Sequence, residues 1–153
     1  MKKILNIWLP VALLIMTVTA GCTSNNGDIG TLFGVWHLDR MAVDGEDDTG
    51  YDGNCFWSFQ NNIICISVEN DPLAHAPERS WGTWSRRGNC IVLNFAHKAG
   101  DGDQQQMYVP PAMLRLPADA DIPLAVQHDS GDRMTLAYDT PDGAEITYYL
   151  VKF

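Results

Sequence analysis

From residue 34 onward, apolar and polar positions alternate in short runs, the period-two signature of half-buried strands. Gly34-Val35-Trp36-His37-Leu38-Asp39-Arg40-Met41 opens the series, with Trp36, Leu38 and Arg40 on one face and His37 and Asp39 on the other. Cys55 to Phe59 and Ile63 to Val68 follow, joined across Gln60-Asn61-Asn62. Asparagine tolerates positive φ, so this junction predicts a tight hairpin. Cys55, Trp57 and Phe59 share one face. A second pair, Ser80 to Ser85 and Cys90 to Phe95, turns through Arg86-Arg87-Gly88-Asn89. There the alternation sends Ile91, Leu93 and Phe95 to the core, Trp84 with them, and Trp81 to the opposite face.

Three more strands close the chain: Ile122 to Gln127, Arg133 to Tyr138 and Ala144 to Lys152. Asp129-Ser130-Gly131-Asp132 and Pro141-Asp142-Gly143 have the residues that tight turns require. In the last strand Ile146, Tyr148 and Leu150 alternate with Thr147, Tyr149 and Val151. Two stretches break the rhythm. Asn70 to Glu78 carries Pro72 and Pro77 and reads as a loop. Lys98 to Asp121 carries Gly100, Gly102, Pro110, Pro111 and Pro117 and reads as a long connection over a barrel mouth. Within it, Ala112 to Leu116 fits either a helical turn or a short strand. About eight strands in sequential order, joined mostly by tight turns, predict an all-β fold: an up-and-down antiparallel barrel, which removes both exposed sheet edges.

The first thirty residues follow a different pattern. Lys2 and Lys3 precede an apolar stretch from Ile4 to Val18, and the small residues Ala20 and Gly21 then lead to Cys22. This is the layout of a secretory signal, shorter than the roughly 20 apolar residues that span a bilayer comfortably. Small residues directly before a cysteine resemble a bacterial lipobox, although Thr19 stands where Leu is usual. That resemblance implies cleavage after residue 21, acylation of Cys22, and a lipid-anchored protein of the bacterial cell envelope, most naturally at the outer membrane. Two or more acyl chains suffice for stable anchoring. Residues 23–31 are polar and glycine-bearing and read as a tether. The expected organisation is therefore a signal over 1–21, a tether over 22–31 and one β domain over 32–153.

Charge narrows the list of partners. Lys and Arg total 10 against 19 Asp and Glu, a formal charge of −9, and losing Lys2 and Lys3 makes the mature chain more acidic still. Such a surface repels nucleic acid and anionic headgroups alike, which leaves the lipid to make the membrane contact. The dense carboxylates of Asp44-Gly45-Glu46-Asp47-Asp48 lack the ligand spacing of an EF-hand and read as a solvated loop. Cys55, Cys65 and Cys90 sit in apolar runs as small hydrophobes; a Cys65–Cys90 or Cys55–Cys65 disulfide is the competing reading. His37, His75, His97 and His128 fall on separate segments without ligand spacing. No nucleophile elbow, phosphate-cradling loop or buried carboxylate pair is present, so the sequence calls for no catalytic residue, metal or cofactor.

Three ordered features carry a family resemblance. Gly34-Val35-Trp36 resembles the Gly-x-Trp that opens lipocalins. Gly82-Thr83-Trp84 with Asn89 and Ile91-Val92-Leu93 resembles a strand pair of bacterial lipocalin-like lipoproteins, and Tyr148 to Phe153 is similar to their closing strand. The resemblance implies that Trp36, with Gly34, plugs one barrel end under a terminal cation, here Lys152. A monomer is expected. Two functional readings then stay open. In one, the inward side chains Trp57, Phe59, Trp84, Leu93, Phe95 and Tyr148 line a site for a small apolar ligand. In the other the interior is solid, and Trp81, Tyr51 and Tyr108 present an aromatic platform to a glycan or protein.

Overall fold

The computed structural model describes residues 30–69, 77–96 and 108–153. The signal over 1–21, Cys22, the tether as far as residue 29, His75 and His97 lie outside the described residues. The strands are β1 (Gly34–Val43), β2 (Glu46–Asp47), β3 (Cys55–Gln60), β4 (Ile63–Val68), β5 (Glu78–Arg87), β6 (Cys90–Asn94), β7 (Asp121–Asp129), β8 (Arg133–Asp139) and β9 (Glu145–Lys152). All pair antiparallel in the order β2-β1-β3-β4-β5-β6-β7-β8-β9, and β1 also pairs with β9. The result is a closed eight-strand barrel, with the two-residue β2 added beside the tail of β1.

Turn chemistry sets the register. Asn61 (φ 51°) turns β3 into β4, Gly88 (φ 61°) turns β5 into β6, Gly131 (φ 86°) turns β7 into β8, and Gly143 (φ 91°) turns β8 into β9. Positive φ is cheap for glycine and tolerable for asparagine. Gly82 serves another need. A Cβ there would lie 2.6 Å from the Asn94 carbonyl oxygen and 2.9 Å from the Phe95 ring, so its missing side chain lets Phe95 pack inward.

The alternation places one continuous core inside the cylinder. Trp36, Leu38, Cys55, Trp57, Phe59, Ile64, Ile66, Ile91, Leu93, Phe95 and Tyr148 are all fully buried. Arg40 departs from the expected face. A bulge between Leu38 and Arg40 shifts the register against β9, so Met41 turns inward and Arg40 outward. Arg40 instead stacks 3.8 Å over the Tyr149 ring and pairs with Asp47 of β2 at 2.6 Å. Cys55, Cys65 and Cys90 are free thiols, which removes the disulfide reading. Cys55 is buried inside, whereas Cys65 and Cys90 are half-buried on the outer face.

Strand direction divides the loops between two ends. The start of β1, the β3–β4, β5–β6 and β7–β8 hairpins and the end of β9 gather at one end. The β1–β3, β4–β5 and β6–β7 connections and the β8–β9 turn gather at the other. The first has short hairpins only; the second carries every long connection.

Candidate functional site

At the hairpin end, Leu32 and Trp36 fill the barrel axis, 3% and 0% exposed. The Trp36 indole Nε1 donates to the Leu32 carbonyl at 2.8 Å, which ties the chain preceding β1 across the opening. Lys152 lies with its Nζ 5.2 Å from the Trp36 ring centroid and donates to the Thr31 carbonyl at 2.9 Å. An ammonium over an indole face is attracted by the ring quadrupole. Gly34 takes a φ of 121°, which other residues rarely adopt, and lies in van der Waals reach of this stem: a Cβ there would stand 3.5 Å from Lys152 Cε. The three residues expected to close the barrel thus meet at one place.

The opposite end is closed by the β6–β7 connection. Ala112–Leu114 forms a single 3-10 turn, the helical alternative of the two the sequence allowed. It drives Leu114 (0% exposed) into the core, with Leu116 (8%) behind it. The Tyr148 hydroxyl donates to the Leu114 carbonyl at 2.6 Å from inside the barrel, and burial pushes its ionisation up. Arg115 then pairs with Asp48 of the acidic loop at 3.2 Å. The acidic loop is built rather than merely solvated. Asp48 also accepts from the Gly50 amide at 3.0 Å, and Asp44 accepts from the Glu145 amide at 2.9 Å.

Between the two ends lie the expected lining residues. Trp57, Phe59, Leu93, Phe95 and Tyr148 are fully buried; Trp84 is half-buried and packs on the core from its edge. Ring contacts link four of them: Trp57 to Tyr148 at 5.4 Å, Trp57 to Phe59 at 6.4 Å and Phe59 edge-on to Trp84 at 5.4 Å. Two indole donors in this cluster, Trp57 Nε1 and Trp84 Nε1, are buried with no oxygen or nitrogen acceptor among the described residues. The Cys55 thiol is the polar neighbour of Trp57. Burial pushes that thiol up to about 12, against the opposing pull of the Trp57 indole. Sulfur is a weak acceptor, so this neighbour compensates little.

The outside is differently furnished. Cross-strand register sets Ser58, Cys65 and Trp81 in one row on the outer face of β3, β4 and β5. Small side chains between large ones leave a hollow of about 200 Å³, edged by Gln60, Ile63, Arg79 and Trp81. The aromatic platform does not assemble as expected. Tyr51 is turned onto the core, and its hydroxyl donates to the Leu38 carbonyl and accepts from the Cys55 amide at 3.2 Å. The β1–β3 ladder stops at His37–Phe56, and Tyr51 supplies the next rung. No period-two pattern announces this, because Tyr51 lies in a loop. Tyr108 is half-buried in the β6–β7 connection, at the other end of the barrel from the Trp81 row.

No protein-family model and no curated protein matches the sequence. Two solved structures share the fold. A lipocalin-like protein from Bacteroides uniformis superposes with a TM-score of 0.55 at 19% identity, over 81% of this chain and 100% of that one. An uncharacterized protein from Bacteroides eggerthii does so with a TM-score of 0.55 at 14% identity, over 80% and 99%. The barrel is therefore lipocalin-like in architecture.

Proposed function

We propose that the chain is a membrane-anchored lipoprotein of the bacterial envelope whose lipocalin-like barrel holds a small apolar molecule without acting on it chemically. One observation carries the reading. Trp57 and Trp84 bring two indole N–H groups into a largely apolar aromatic lining; among the described residues Trp84 meets no acceptor and Trp57 only the weak Cys55 thiol. A buried donor left unpaired costs about 1–3 kcal/mol. A guest with an aromatic or aliphatic body and one acceptor oxygen would relieve that cost and fill the lining. Phe59, Leu93, Phe95 and Tyr148 supply the rest of the wall, and the Gly34–Trp36–Lys152 cluster closes its base. Acylated Cys22 would supply the membrane contact, at the outer membrane.

A second reading, binding of a glycan at the outer wall, rests on the hollow beside Trp81. There an indole face is flanked by the hydrogen-bonding side chains of Gln60, Ser67 and Arg79. Native mass spectrometry of the full mature protein, released gently from its source envelope, separates the two. An adduct shed on denaturation and diminished by Trp84→Phe, but not by Trp81→Ala, is the expected result. A bare polypeptide mass in both native and variant proteins would overturn the carrier reading.

A further inference from the structure

Large apolar side chains exposed one at a time are ordinary on a protein surface. Their distribution here is not. Among the described residues the exposed large hydrophobics are Phe33, Val35, Ile63, Phe153 and Val109, and all but Val109 lie at the hairpin end. Register sets Val35 and Ile63 on the outer wall two strands apart, on either side of β3. Val35 is opposite Ser58 on β3, Ser58 is opposite Cys65 on β4, and Ile63 lies two residues before Cys65. The Phe153 amide donates to the Val35 carbonyl at 2.9 Å, and its ring meets Phe56 edge-on at 5.5 Å. Phe153 itself is 85% exposed at the end of the chain.

Charge divides the ends in the same sense. The rim at this end carries Arg86, Arg87, Arg133 and Lys152; Arg86 pairs with Asp129 at 3.8 Å and Arg87 with Asp121 at 3.2 Å, and Asp132 offsets one more charge. The far rim carries Asp44, Glu46, Asp47, Asp48, Asp52 and Asp142 against two cations, Arg115 bound to Asp48 and Arg40 bound to Asp47. The chain that leads back to Cys22 enters at Gly30, beside the Lys152 ammonium that holds Thr31. Fully extended, the chain from Cys22 to Gly30 reaches at most roughly 28 Å. A short tether of this kind keeps the nearer face at a high effective concentration against whatever holds its other end.

We propose that the hairpin end of the barrel is a bilayer-docking face. Phe33, Val35, Ile63 and Phe153 enter the headgroup boundary, Arg86, Arg87, Arg133 and Lys152 meet lipid phosphates, and the acidic end points away. Apolar side chains flanked by basic ones at one level are the chemistry that an interface between water and lipid selects. Like-charge repulsion from anionic headgroups disfavours the reverse orientation. This rests on the anchoring at Cys22, and it adds an orientation that the anchor alone does not supply.

The test uses the full protein, produced with its own leader and reconstituted into vesicles of phosphatidylethanolamine and phosphatidylglycerol. In a Cys65→Ser, Cys90→Ser background, Phe33→Cys, Phe153→Cys and Asp142→Cys each receive an environment-sensitive fluorophore. Circular dichroism checks that each variant is folded. Brominated lipid should quench the labels at positions 33 and 153 severalfold more than the label at 142. Equal, weak quenching in a preparation that floats with the vesicles would overturn the docking face and leave the anchor standing. Failure to float would overturn the anchor and the docking together. Shielding from aqueous iodide that appears only as protein density rises would assign the face to a second copy, and would also overturn the proposal.

Discussion

The two ends of the barrel are closed by different means. At the hairpin end the plug itself is local, Trp36 on β1 and Leu32 four residues earlier, and Lys152 from the last strand only clamps it through Thr31. At the acidic end the plug is borrowed from a distant connection. Leu114 is held by Tyr148 across 34 residues, and Asp48 is held by Arg115 across 67. A local plug forms with its strand and is ordered by few contacts. A borrowed one costs more loop entropy and depends on a handful of polar contacts. The difference teaches where the molecule can open: the acidic end is the one that can loosen without dismantling a strand.

The sharpest way to break this comparison is to empty each plug. Trp36→Ala should cost about 3–5 kcal/mol and Leu114→Ala about 2–5 kcal/mol in urea unfolding, with Trp36→Ala the larger. The reverse order would make the acidic end the structural anchor of the barrel.

Alkali should act on one end selectively. Cys55, Tyr51 and Tyr148 lie toward the acidic end, and burial raises all three. A raised thiol keeps its proton in the folded state while the unfolded chain loses it. Stability is therefore complete below about pH 9, the unfolded thiol value, and falls as pH rises toward 12. From Cys55 alone the loss reaches about 4 kcal/mol at the top of that range. Melting temperatures measured from pH 8 to 11 should drop steeply, and Cys55→Ala should flatten the drop. An unchanged melting temperature across that range would show that the thiol is not sequestered.

Smaller changes read the individual hydrogen bonds. Tyr51→Phe leaves the Leu38 carbonyl and the Cys55 amide without their partner and should cost about 1–3 kcal/mol. Tyr148→Phe should cost about 1 kcal/mol and speed hydrogen exchange in the Ala112–Leu114 turn without touching the hairpin end. Exchange that quickens at both ends would show the two closures to be coupled.

Much of this was legible in the sequence, for a physical reason. A wall residue in a barrel has only two faces, so alternation plus turn chemistry decides both strand and facing. Trp57, Phe59, Ile91, Leu93, Phe95 and Tyr148 fall where the alternation puts them. Arg40 does not, because a bulge is a backbone irregularity with no period of its own. Tyr51 was assigned to an outer platform for a related reason: a loop residue has no alternation to say which way it turns. Its partner at Leu38 exists only because one ladder stops there. The acidic loop hid its role similarly, since Asp44, Asp47 and Asp48 bond to groups brought near by the fold. The meeting of Gly34, Trp36 and Lys152 came from resemblance rather than from pattern.

The seam between β1 and β9 bears on how the molecule is made. Strands from opposite extremes of the chain lie side by side, with the Thr31–Lys152 bond spanning 121 residues. During synthesis β1 has no neighbour on that flank until β9, about a hundred residues later, leaves the ribosome, so the cylinder cannot seal early. Distant pairing of this kind folds slowly. A chain stalled before β9 would therefore show the outer edge of β1 as an unpaired template for a strand of another molecule.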